Sequence, residues 1–152
     1  MKLAEALVLR VDCQRKISQL RERLSRVVKV QEGDEPAEKP ELLLQELNET
    51  INQLTVLIMS INKTNSLTPF DENRTIADVL AERDSVMQKR KILDELLEHA
   101  SIRQDRYSRS EVRYQATVDI PKIQSEIDRL SKEYRELDFK IQEKNWTINL
   151  VE

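Results

Sequence analysis

Leu44-Gln45-Glu46-Leu47-Asn48-Glu49-Thr50-Ile51-Asn52-Gln53-Leu54-Thr55-Val56-Leu57-Ile58-Met59-Ser60-Ile61 is the stretch whose reading decides the fold. Leu44, Leu47, Ile51, Leu54, Ile58 and Ile61 recur at alternating steps of three and four, the period of one helix face and the pattern of a coiled-coil seam. A strand would alternate every second residue, and nothing here does. Pro40 suits the first helical position, because its missing N–H would have no helical partner there anyway. A helix is therefore expected over about 40–65.

On its N-terminal side, Gln31-Glu32-Gly33-Asp34-Glu35-Pro36-Ala37-Glu38-Lys39 breaks the period with a glycine, a proline and a cluster of acids, and reads as a solvated loop over 31–39. Before it, Leu3, Ala6, Cys13, Ile17, Leu20, Leu24 and Val27 return to helical spacing and predict a helix over 2–30, with eight Lys/Arg against three Asp/Glu. On the other side, Ser66 to Thr75 contains Pro69 and Asp71 and ends in a Thr75/Asp78 pair that resembles a capping box. A third helix, 76–99, follows on Ile76, Val79, Leu80, Val86, Met87, Leu93, Leu96 and Leu97, with Arg83 and Arg90 interrupting the stripe.

Residues 101–118 lose the helical rhythm. Val112, Tyr114, Ala116 and Val118 alternate with Arg113, Gln115 and Thr117, so a short β-hairpin arm is expected between helices three and four. Asp119 and Pro121 restart a helix over 119–144 on Ile123, Ile127, Leu130, Tyr134, Leu137 and Ile141. The expected fold class is all-α: a single domain, an elongated antiparallel bundle or coiled coil of about four long helices.

Composition supports this. Of 152 residues, 35% are charged and only 4% aromatic, with one glycine, which suits narrow helical seams and leaves too few positive-φ positions for a β-rich fold. No run approaches the ~18 apolar residues of a membrane span. The first residues lack a signal-peptide core. Cys13 is the single cysteine, so no internal disulfide can form, and the cytoplasm is the expected compartment. The Asn-x-Thr tripeptides at Asn48, Asn62, Asn73 and Asn145 then carry no glycan.

Catalytic signatures are missing from the sequence. His99 is the lone histidine, one glycine cannot build a phosphate loop, and position 96 is Leu where a Glu-x-x-His di-iron motif needs Glu. No metal or cofactor is expected. The acidic pairs Glu46/Glu49 and Glu95/Glu98 have the spacing used to hold magnesium, but 28 acidic residues generate such pairs freely. Trp146 reads as a cap on one bundle end. Arg10, Arg83 and Arg90 lie on apolar stripes and, once buried, need carboxylate or carbonyl partners such as Asp12 and Asp84. An anion site between subunits is the sharper alternative. Arg103, Arg106, Tyr107, Arg109, Arg113 and Tyr114 are the interface or anion candidates: guanidinium groups to pair carboxylates or phosphates, rings to pack a partner or stack on bases.

Four stretches carry a family resemblance: Val30-Gln31-Glu32-Gly33, Ile61-Asn62-Lys63-Thr64-Asn65, Arg106-Tyr107-Ser108-Arg109-Ser110-Glu111, and Arg135-Glu136-Leu137-Asp138 through Asn145-Trp146. Through these the chain resembles the septicolysin-like family of small bacterial helical proteins. That resemblance implies an all-helical fold and a bacterial origin. Its label implies a membrane-active cytolysin, with no catalytic residue to transfer. From the residues themselves the expected function is a non-enzymatic helical protein that self-associates as a homo-oligomer. Nucleic-acid or nucleotide handling through the arginine and tyrosine arm is a further alternative, disfavoured by a net charge of −3.

Overall fold

The computed structural model describes residues 1–101 and 112–152. Four helices account for about three quarters of them: α1 (Leu3–Val27), α2 (Pro40–Leu67), α3 (Ile76–Ala100) and α4 (Ile120–Thr147). Each start has a local cause. Glu5 turns its carboxylate back to accept the Lys2 backbone N–H at 2.6 Å, Pro40 occupies the first turn of α2, and Asp119 Oδ1 accepts the Lys122 N–H at 3.1 Å. Between α2 and α3, Asp71 Oδ1 accepts the N–H groups of Asn73 and Arg74 while Oδ2 pairs with the Arg74 guanidinium, closing a tight turn.

The helices form two compact units, a division not foreseen in the single-domain expectation. The first comprises Met1–Thr75 and Gln142–Glu152, the second Ile76–Ile141. In the first unit α1 and α2 pack antiparallel, since Lys16 pairs with Glu46 at 3.1 Å while Arg23, further along α1, grips Glu38 at the loop's end with two hydrogen bonds. Between them lie Leu20, Leu24, Val27 and Leu43, with Leu47 against the cluster. Gly33 takes φ +91°, the left-handed conformation that turns the connection.

The same unit is clasped by its two chain segments. Leu3 N–H donates to the Ile148 carbonyl at 2.9 Å and Leu150 N–H to the Met1 carbonyl at 2.8 Å, while Lys2 Nζ reaches the Thr147 carbonyl and Asn149 Oδ1. One residue further, Val151 N–H donates to Thr64 Oγ1 at 2.9 Å.

In the second unit α3 and α4 run antiparallel: Arg83 bonds Asp138 and Arg90 bonds Ser131, so position rises on one helix as it falls on the other. Buried side chains here are Ile76 and Val79 on α3 and Ile127, Leu130 and Ile141 on α4.

The expected β-arm is corrected. Residues 112–117 have no strand assignment and Val112 and Tyr114 are exposed; a two-residue rhythm yields a strand only where another edge offers backbone partners, and the described elements are helices. Residues 102–111 lie outside the described residues.

Candidate functional site

The seam of α2 is rotated from the expected one. The buried positions are Leu43, Thr50, Leu57, Ile61 and Thr64, whereas Leu44 and Ile51 are exposed. With half-buried Leu47 and Leu54 they complete the spacing 43, 47, 50, 54, 57, 61, 64, an unbroken heptad stripe containing two threonines. Threonine is tolerated because each hydroxyl finds an acceptor one turn back: Thr50 Oγ1 donates to the Glu46 carbonyl at 2.8 Å and Thr64 Oγ1 to the Ser60 carbonyl at 2.7 Å. Turning this stripe inward leaves Leu44, Ile51, Val56 and Met59 on the outside of α2.

The α3–α4 pairing carries the two arginines singled out from sequence. Arg83 Nη1 donates to Asp138 Oδ1 at 2.8 Å, its Nη2 lies 3.6 Å from Asp84, and its guanidinium sits 6.0 Å from the Tyr134 ring centroid. Arg90 Nη1 reaches the Ser131 hydroxyl, at 3.4 Å. Nε of both arginines is buried and finds no partner among the described residues. Arg10 is half-buried on α1, and Asp12 pairs with Arg15 instead.

Toward the end of the hairpin, Lys89 donates to Glu126 at 3.3 Å, and Arg129 pairs with both Glu126 and Glu133. The Arg129 guanidinium first, then Lys89, holds the Glu126 carboxyl down to about 2. Above this rim Leu93 and Ile123 line an open apolar groove. Ile92 and Leu96 next to it are 49% and 47% exposed. A wider cleft at the helix ends is lined by Leu96, His99, Ser101, Tyr114 and Val118.

The other sequence candidates are dispersed. Arg113 and Tyr114 are exposed, Tyr114 by 78%. Arg103, Arg106, Tyr107 and Arg109 lie outside the described residues. Glu46 is engaged by Lys16, and Glu49 accepts a bond from Gln45, so this acidic pair serves helix contacts. No group of three or more His, Cys, Asp or Glu side chains among the described residues is placed to hold a metal ion. Among the described residues no helix is long and apolar enough to cross a membrane. Trp146 is exposed and caps nothing among the described residues.

Fold and surface define an all-α protein of antiparallel helix pairs whose notable exposed features are apolar helix faces. The chain belongs to a family of unknown function, DUF6847, whose sequence profile matches residues 10–150. It is similar to a functionally unknown conserved protein from Corynebacterium diphtheriae solved by crystallography, with 48% identity over 99% of both chains and a TM-score of 0.92. No curated protein matches it. These findings overturn the septicolysin-like resemblance: neither the matching family nor the similar structure has any link to it.

Proposed function

We propose that this is a non-enzymatic helical protein that works by self-association. One observation carries the proposal: of the whole of α3, only Ile76 and Val79 are buried, so from Leu80 to Ala100 the helix runs without one fully covered side chain. A helix with an apolar stripe needs a surface to bury it, and two helices alone cover one another incompletely. Val86, Met87, Leu93 and Leu97 are half-covered, while Ile92 and Leu96 stay open. The rim mixes Lys89 and Arg129 with Glu126 and Glu133, a neutral balance compatible with another copy of the same chain.

Arg113 and Tyr114, exposed beside this end, extend the proposed contact, and Arg103, Arg106, Tyr107 and Arg109 belong to the same proposal. Light scattering across a concentration series tests it. We expect a mass of at least two chains, reduced by Ile92→Glu with Leu96→Glu while helicity is kept, since both side chains are exposed. A wild-type monomer persisting at roughly 500 µM and low salt, where even a weak dimer is populated, contradicts the proposal. Should Arg113→Glu weaken RNA binding and leave the mass unchanged, the nucleic-acid reading of the arm replaces it.

A further inference from the structure

The outer face of α2 differs chemically from every other helix surface in the chain. Although 35% of the residues are charged, from Thr50 to the end of α2 at Leu67 the single charge is Lys63, and the nearest before it is Glu49. Asn48, Thr55, Met59, Asn62 and Ser66 point outward with Ile51 and Val56 beside them, and all are exposed, Val56 by 63% and Met59 by 64%. The outer face of α4 carries charge ladders instead, such as Arg129 between Glu126 and Glu133. An exposed helix face stripped of charge and enriched in valine, isoleucine and methionine has the composition of an interface centre.

The charges at its ends identify the occupant. Glu49 and Lys63 are separated by two heptads, so both project from one flank of the helix, roughly 21 Å apart. A two-fold axis near Val56 sets that flank against the same flank of a second copy in reverse order. Glu49 then faces Lys63 of the second copy, and Lys63 faces its Glu49. Asn48 and Asn62 are also two heptads apart and meet as amide pairs, each able to donate and accept. A parallel arrangement would oppose like charges.

We infer that α2 packs antiparallel against α2 of a second copy of this chain through the face centred on Thr55, Val56 and Met59. The inference rests on the self-association reading and names one surface for it. Pairing two such strips buries on the order of 800 Å² in total, below what permanent dimers bury, so the contact is a weak, concentration-dependent one.

Sedimentation velocity at low salt over roughly 5 to 500 µM, the range that brackets such a weak constant, tests it. Glu49→Lys and Lys63→Glu should each weaken association about fivefold, the double swap should restore it, and Val56→Glu with Met59→Glu should abolish this step. All four positions are exposed, so unchanged helicity by circular dichroism is expected in every variant. Single reversals without effect, or a double swap no better than either single, overturn the inference. A mass lowered by Ile92→Glu with Leu96→Glu but by no α2 variant overturns it too, while leaving self-association standing. A wild-type monomer throughout the range removes both, and any partner then captured by the α2 face is a different protein.

Discussion

Thr64 and Thr50 occupy equivalent places in the α2 stripe, yet replacing each by valine should give different results. Both are buried, both donate to a carbonyl one turn back, and valine has the same shape without the hydroxyl. At Thr50 the lost bond is confined to its own helix, where the Glu46 carbonyl sits inside the helical ladder, so a cost of about 0 to 0.5 kcal/mol is expected. At Thr64 the same oxygen also accepts the Val151 N–H at 2.9 Å. Removing it leaves a half-covered donor without its acceptor, about 1 to 1.5 kcal/mol, at the lower end of the range for an unsatisfied group because water still reaches this edge. The pair should therefore differ by about 1 kcal/mol, or roughly 2 to 4 °C in unfolding midpoint for a chain of this size. Circular dichroism melts at a fixed protein concentration measure it, and amide exchange at Val151 should accelerate in Thr64→Val alone. Equal melts and equal exchange would refute the assignment of Thr64 as the anchor of the C-terminal segment.

Asp138→Asn should cost about 1 to 2 kcal/mol by leaving the Arg83 guanidinium with only the longer contact to exposed Asp84 as a carboxylate partner among the described residues, short of a fully buried pair because Arg83 and Asp138 keep 22% and 27% exposure. Arg83→Met should cost less in the same denaturant titration; the reverse order would contradict the pairing. Because Glu126 is depressed from 4.5 to about 2, its contribution is complete above the unfolded value and lost as pH falls through that window. The melting profile of Glu126→Gln should accordingly be flatter than wild type between pH 4.5 and 2, and parallel profiles would count against the Arg129 and Lys89 bonds. Gly33→Ala should destabilise by about 1 kcal/mol through its φ of +91° alone, since an added Cβ meets nothing within 4 Å. Gly33→Asn, tolerated better in that region, should recover part of the loss in the same melts.

Helix number, order and approximate limits were legible because they depend on local signals: Pro40, the Gly33 loop, the Pro69–Asp71 break and the Asp119 cap all act where they stand in the sequence. The rotation of α2 was not. A hydrophobicity pattern excludes Thr50 and Thr64 from a seam, and only the position of an acceptor carbonyl, a property of the folded helix, shows that their hydroxyls can be buried. The arm shows the opposite limit: an alternating pattern states what a strand would need, but an edge to pair with belongs to the rest of the fold. Arg83 was recognised as needing a partner, yet Asp138, 55 residues away, was invisible, since no periodicity relates residues on different helices. The uncharged outer face of α2 was present in the sequence throughout. It became meaningful only when the buried stripe was fixed and the opposite side could be identified as exposed.

The clasp between residues 1–3 and 148–150 bears on how the chain matures. The first unit is written in two pieces, with the entire second unit between them. On a ribosome, α1 and α2 emerge early and can pair as soon as the Gly33 loop closes. The hydroxyl of Thr64 and the carbonyl of Met1 then wait for their donors, Val151 and Leu150. The α3–α4 hairpin is thus made while the first unit still lacks residues 148–151, which complete its backbone contacts. A chain cut before Gln142 would retain α1, α2 and α3 with its N-terminal backbone unlatched, so the latch separates chains that contain residues 142–151 from those that do not.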